Sequence, residues 1–419
     1  TGYGGINRAG SAAAFGGSSG GPQLPPRGET RFVPDEVITA FTADTSAEAI
    51  NRLARRYRLT RLESQDFPLI RTSLYRWRIV SRRSVVSMIR ALGGEGVIAS
   101  VQPNYVFMVQ QDTPTVPAPP AAPVAPGGSA GDPAQYVLAA LHVAQAQKIA
   151  TGKDVAVAVI DSEIDVKHPD LSGVVVKSFD ALNYDERPHA HGTSIAGAIA
   201  EHGKLLGIAP SAQIFAVHAF DDTPGEARGT SFAIYKGLEW AADNGARIIN
   251  MSFAGPGDPT LRQMLAAAYG KGIVLIAAAG NGGPYAAPAF PAADPDVIAV
   301  TATDSEDRLF KMDNRGSYIA VSAPGVDILA LAPGNTYQVT TGSSIAAAHV
   351  SGVAALLLQR NPALTPKDIR AALIATAKPL GSTHPDPEFG AGLVNAYSAV
   401  ASLDPTVAPA RDGSAEAKK

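Results

Sequence analysis

The sequence predicts an α/β protein: a doubly wound, mostly parallel sheet, preceded by a small α+β domain of ferredoxin-like order. Three observations carry this expectation. Short β-branched runs, apolar on both faces, alternate with helical segments from about residue 154 onward. A Pro-, Ala- and Gly-rich stretch at 113–131 divides the chain. Before it, residues 31–110 carry the β-α-β-β-α-β pattern of a split βαβ sandwich.

Composition narrows the field. Of 419 residues, 46% are hydrophobic and 17% charged, so a large core can be buried and wholesale disorder is excluded. A net charge of -3 gives no general attraction to nucleic acid or anionic membrane. The absence of cysteine removes disulfides, thiolate catalysis and Cys-ligated zinc together. No apolar run approaches the length that spans a bilayer. The start at Thr1 leads us to expect that any signal segment has already been removed.

Residues 1–29 read as a flexible Gly/Ser/Pro-rich leader. In the domain expected at 30–112, 36–41 reads as a strand, and Thr45 or Ser46 caps a helix carrying Ile50, Leu53, Ala54 and Tyr57 at helical spacing. A half-buried strand at 74–80 and a helix at 84–92 follow, with strand-like sequence at 97–101 and 105–109 around Pro103. Arg52, Arg55, Arg56 and Arg58 cluster on the first helix. They make either a solvated face or a basic docking surface, with nucleic-acid binding the weaker third reading. After a linker at 113–132, the main domain is expected at 133–403. Its strands are 154–160, 214–217, 246–251, 273–279, 297–300 and 319–321. Its helices are 143–149, 194–201, 230–244, 260–270, a long one from Ser344, 367–377 and 391–402. A polar tail occupies 404–419.

Four residues fall where this fold gathers its chemistry. Asp161 ends the first apolar strand, His191 and Ser344 open helices, and Asn281 follows Ala-Ala-Ala-Gly at another strand end. In an open α/β sheet, strand C-termini and helix N-termini meet on one edge. There an imidazole can take a serine proton while a carboxylate holds its tautomer, and a side-chain amide can donate to an oxyanion.

The motifs around these residues resemble those of subtilisin-family (subtilase) serine peptidases, over about residues 153–396. They are Val-Ile-Asp-Ser at Asp161, His-Pro-Asp-Leu at 168–171, His-Gly-Thr at 191–193 and Gly-Ile-Ala-Pro at 207–210. Asn-Met-Ser at 250–252, Ala-Gly-Asn at 279–281 and Gly-Ser-Ser-Ile-Ala at 342–346 complete the set. The resemblance implies a serine endopeptidase with Asp161, His191 and Ser344 as the triad and Asn281 in the oxyanion hole. It makes His189 an approach-loop residue, His349 a packed structural histidine, Ser343 a support for the turn, and Asp165 and Asp170 loop and turn residues. It also implies that Ala227, Arg228 and Gly229 form an edge strand for an extended peptide, with Ser252, Phe253 and Ala254 opposite. Ala254 and Gly282 then suit small to medium uncharged side chains, and Phe253 with Ile234 makes an apolar fourth subsite.

Two departures stand out: Glu163 where the family has Gly, and Ala348 where it has Pro. Catalysis needs no cofactor or metal in this reading. The segment 201–206 is too short for the family's usual calcium loop, while structural calcium elsewhere stays open. The resemblance makes residues 31–110 a propeptide that aids folding and then inhibits in cis, with 106–110 as its inhibitory tail. The chain is then a self-processing proprotein, secreted or in the cell envelope. An independent binding module is the alternative for that domain, and a non-catalytic binding protein for the whole chain. Lipases and esterases are set aside because they carry Gly-x-Ser-x-Gly with the histidine last.

Overall fold

The structure is a computed structural model that describes residues 21–109, 131–184, 187–223, 226–383 and 385–403. Residues 1–20, Gln110, the stretch 111–130 and the tail 404–419 lie outside them.

The first unit runs β1 (Gly21–Pro22), β2 (Phe32–Phe41), α1 (Ala47–Tyr57), β3 (Leu59–Phe67), β4 (Thr72–Ile79), α2 (Val85–Leu92) and β5 (Ile98–Val109). The strands β5, β2, β4 and β3 lie side by side in that order, all antiparallel. Two expectations are corrected here. The strand β3 is absent from the sequence-based expectation, because its sequence Leu-Thr-Arg-Leu-Glu-Ser-Gln-Asp-Phe is largely polar and buries only its ends. The two strand-like segments flanking Pro103 are one strand, β5. It tolerates the proline because the pairing with β2 is irregular there, passing from Val37–Pro103 to Phe32–Tyr105. Ser46 caps α1 by accepting from the Ala49 N–H, and Ile50 and Leu53 bury its apolar face. The four arginines of this region are exposed, with Arg56 paired to Glu95 at 3.0 Å, so they form a solvated face.

The second unit opens with α3 (Tyr136–Ala140), which the sequence-based expectation lacks, and α4 (Val143–Ala146), shorter than the helix expected at 143–149. Then come β6 (Ala156–Ser162), β7 (Val175–Asp180), α5 (Ala190–Ala200), β8 (Gln213–Thr223), β9 (Glu226–Thr230) and α6 (Ser231–Asp243). Next are β10 (Ile248–Met251), β11 (Phe253–Ala254), α7 (Pro259–Gly270), β12 (Val274–Ala278), β13 (Val297–Thr303) and β14 (Ile319–Pro324). The hairpin β15 (Ile328–Ala332) and β16 (Thr336–Thr340) leads to α8 (Ser343–Arg360), α9 (Pro366–Thr376) and α10 (Ala396–Ala401).

The strands β14, β13, β12, β10, β6 and β8 pair in parallel in that order, with two apolar cores on the two faces of this sheet. This is the doubly wound, mostly parallel arrangement expected of the sequence. The chain lays β6 first, then β8 on one side and β10 on the other. Its winding therefore reverses at β6, the position where such sheets hold ligands. The predicted last helix begins five residues late. Ala391 and Val394 instead donate to the Ala320 and Ser322 carbonyls and run along β14.

The two units share one sheet. Beyond its own partners, β5 continues into the large unit: Val106, Phe107 and Met108 face Thr230, Gly229 and Arg228 of β9. On its other side Met108 and Val109 face Ala254 and Phe253 of β11. Buried polar contacts surround this junction. Gln102 donates to the Asp258 carboxylate and the Tyr235 hydroxyl, both at 2.9 Å. Asn104 accepts from the Phe232 N–H, the Glu239 carboxylate accepts from the Leu69 N–H, and Lys236, 4% exposed, pairs with Glu63 at 2.7 Å.

Candidate active site

The strand β6 carries Asp161 to the carboxyl edge of the sheet, where the residue is fully buried. Its Oδ1 accepts from the Ser162 N–H at 2.7 Å, from the Ser162 hydroxyl at 3.0 Å and from His191 Nδ1 at 2.7 Å. His191 is the second residue of α5, whose start is capped by His189: the His189 Nδ1 accepts from the His191 N–H at 3.2 Å. His189 also meets the Ser162 hydroxyl at 3.0 Å, so it is built into the helix start rather than being a mere approach-loop residue. A glycine must follow His191 because a Cβ at Gly192 would lie 2.3 Å from the Ser162 carbonyl oxygen. With Nδ1–H given to Asp161, the neutral ring presents Nε2 as a lone pair. That nitrogen is buried and has no hydrogen-bond partner among the described residues.

Ser344 is the second residue of α8, where the helix start presents its N–H groups. Its hydroxyl donates to the Ser252 carbonyl at 3.0 Å, and the Ser252 hydroxyl donates back to the Ser344 carbonyl at 3.0 Å. Asn250 and Ser351 extend this network, which explains the Asn-Met-Ser motif as a support for the α8 start. The Asp161–His191 half of the predicted relay is hydrogen-bonded, whereas the serine hydroxyl rests on a carbonyl. Such contacts commonly tighten only when substrate is bound.

Asn281 follows Gly280, which has φ +107°, a backbone region suited to glycine. Its Oδ1 accepts from the Ser343 N–H at 3.1 Å and from the Ser343 hydroxyl at 2.8 Å. With the oxygen so held, the NH2 edge is the one able to donate to an oxyanion. Ser343 therefore does more than support a turn.

Of the predicted subsite residues, Arg228, Gly229, Phe253 and Ala254 pair directly with β5, whereas Ala227 pairs with Asp222 inside the β8–β9 ladder. Phe107 meets Phe253 edge-on at 5.9 Å between ring centres, in the apolar core that also contains Ile234 and Phe220. Sequence reasoning misses Gly255: a Cβ there would lie 2.3 Å from the Phe107 ring. A cavity of about 300 Å³ lies beside Asn281, lined by Gly282, Ala254, Met108, Asn314 and, from the small unit, Arg31. Nothing in the sequence near Arg31 or Asn314 flags them.

The remaining candidates have structural surroundings. His349 Nδ1 donates to the Pro324 carbonyl at 2.8 Å, and burial pushes its pKa down to about 4. Asp165 accepts from the Gly334 N–H at 2.8 Å. Asp170 accepts from the N–H groups of Lys204 and Leu205 in the short 201–206 segment, where Gln135 adds bonds to Glu201 and Leu206. Among the described residues no group of three His, Asp or Glu is placed to hold a metal ion.

The doubly wound sheet and the family model it matches make the chain a subtilisin-like serine peptidase. The chain belongs to the subtilase family, whose model matches residues 152–392. It is 40% identical over 258 residues to subtilisin E of Bacillus subtilis (strain 168), covering 59% of this chain and 66% of that protein. Thermitase of Thermoactinomyces vulgaris is 37% identical over 64% of this chain and 95% of its own length. A thermophilic serine proteinase of Bacillus sp. (strain AK1) is 33% identical over 88% of each chain. Among solved structures, fervidolysin from Fervidobacterium pennivorans, a keratinolytic enzyme related to subtilisin, superposes with a TM-score of 0.76. It shares 25% identity, and the match covers 91% of this chain and 63% of that one.

Proposed function

We propose that Ser344 is the nucleophile of this endopeptidase, with His191 as its general base and Asp161 holding the imidazole. The serine oxygen adds to the scissile carbonyl as His191 Nε2 takes its proton, and Asn281 Nδ2 donates to the oxyanion. The imidazolium then protonates the leaving amine, which leaves an acyl-enzyme for water to hydrolyse by the same route. No step asks for a metal, and direct hydrogen bonds to Asp170 and Gln135 hold the short 201–206 segment, so chelators should affect activity little.

The small unit is read as a propeptide, made with the enzyme and inhibiting it in cis until released. The observation that carries this reading is β5 laid between β9 and β11 as an extended peptide would be. Taking Phe107 as the fourth residue before the cut puts the scissile bond at Gln110–Gln111, outside the described residues. The pocket beside Ala254 and Gly282 is read as preferring small to medium uncharged side chains. Secretion, or residence in the cell envelope, fits a self-processing peptidase, and no described helix is long and apolar enough to cross a membrane.

The test is a fluorophosphonate probe on the full chain, with N-terminal sequencing of what accumulates. Active protein should be labelled at Ser344 and begin between about residues 109 and 113, whereas Ser344→Ala should stay unlabelled and full length. Labelling of Ser344→Ala would end the assignment of the nucleophile. Cleavage of other peptides by a chain that keeps its first hundred residues would end the propeptide reading.

A further inference from the structure

An oxyanion donor works only if it is already in place when charge develops, so what fixes Asn281 matters as much as Asn281 itself. Its side-chain oxygen is held by Ser343, but that contact aims the amide only if the backbone carrying it is also fixed. The peptides on both sides of Asn281 converge on one residue of a different loop. The Asn314 N–H donates to the Gly280 carbonyl at 2.9 Å, and the Asn314 Oδ1 accepts from the Gly282 N–H at 2.8 Å.

Asn314 is 3% exposed and fits against both glycines. A Cβ at Gly280 would lie 2.8 Å from Asn314 Nδ2, and one at Gly282 would lie 3.1 Å from Oδ1. The Asn314 Nδ2 also reaches the Ala287 carbonyl, at a longer 3.4 Å. Tyr318 adds a hydroxyl to the Ala279 carbonyl at 3.3 Å. The neighbours of Asn281 along the chain are thus clamped from the 313–318 loop, and its side chain is clamped from α8.

We propose that Asn314 is a positioning residue for the oxyanion hole: it holds Gly280 and Gly282 so that the Asn281 amide is preset for the transition state. This rests on the reading of Asn281 as the oxyanion donor. Replacing Asn314 with Ala keeps its backbone bond to Gly280 but removes the acceptor for Gly282, freeing one side of the Asn281 peptide. Such a loss should fall on turnover rather than on ground-state binding, because an oxyanion contact strengthens only as charge forms.

The experiment is a double-mutant cycle on the processed enzyme with a peptide anilide substrate. Asn314→Ala should lower kcat about tenfold with KM changed less than about threefold. Asn281→Ala alone should lower kcat about 10²–10³-fold, the range measured for the equivalent loss in subtilisin. With Asn281→Ala already present, Asn314→Ala should cost less than about twofold more, because there is no amide left to place. A merely structural role predicts the same fall in both backgrounds, and that outcome, or an unchanged kcat, overturns the proposal. If Asn314→Ala fails to fold, Asn314→Ser, which keeps a shorter acceptor, is put through the same cycle. Full turnover in Asn281→Ala would instead remove the oxyanion reading itself, so the two failures are distinguishable.

Discussion

His191 and His349 are both almost fully buried, yet their rings are used in opposite ways. His191 gives Nδ1–H to a carboxylate, and its Nε2 has no partner among the described residues, whereas His349 gives Nδ1–H to a carbonyl in an apolar surround. Burial therefore holds His349 neutral, with a pKa lowered to about 4 against an ordinary value near 6.5. The unfolded chain binds the extra proton first, so stability falls as pH drops from about 6.5 to about 4 and this contribution levels off below that. Measured by urea unfolding in Ser344→Ala, the change in stability across that window should shrink by up to about 3 kcal/mol in His349→Asn. An identical change in both proteins would refute the assignment. His191 is legible in the sequence from the helix-opening His-Gly-Thr, and so is the packed nature of His349. The role of Asn314 is not, because it acts through backbone groups of residues more than thirty positions away, which no local pattern records.

At the scale of elements, apolar periodicity locates the parallel strands to within a few residues, because both their faces are buried. It fails where burial fails, at β3 and β7, which are partly exposed and polar; the expectation also omits the β15–β16 hairpin, although Pro333-Gly334-Asn335 between its strands is a turn signature. Two segments around Pro103 read as separate strands because proline ordinarily ends pairing, and only the irregular pairing with β2 joins them. The far end of β5 depends on a small feature of its partner. Phe107 lies over Gly255, where a Cβ would intrude 2.3 Å from the ring. Overpacking of this kind costs about 1–3 kcal/mol. Gly255→Ala in Ser344→Ala should thus raise amide hydrogen exchange at residues 106–109 about tenfold or more, read by mass spectrometry. Unchanged exchange would show that Phe107 does not anchor the strand.

At the scale of the molecule, the two units are held by more than the strand between them. Lys236 of α6 is buried against Glu63 of β3, with Gln102, Asn104 and Leu69 bonded to the surrounding helices. Replacing this buried lysine with an acid sets two carboxylates against each other, although Glu63 is partly exposed and Arg76, 3.7 Å away, offsets part of the cost. Lys236→Glu should therefore lower the unfolding midpoint of the full-length Ser344→Ala chain, and adding Glu63→Lys should recover much of the loss. No recovery in the swapped pair would mean that the contact contributes packing rather than charge. If the small unit is released as proposed, the seating of β5 also bears on the enzyme that remains. While it is in place, β9 and β11 each have a main-chain neighbour. Were it to leave, two facing rows of amide and carbonyl groups would open to solvent a strand's width apart, the kind of edge that proteins ordinarily blunt because any extended chain can adhere to it. On the proposed release, the freed enzyme would thus be sticky toward loose polypeptide by construction.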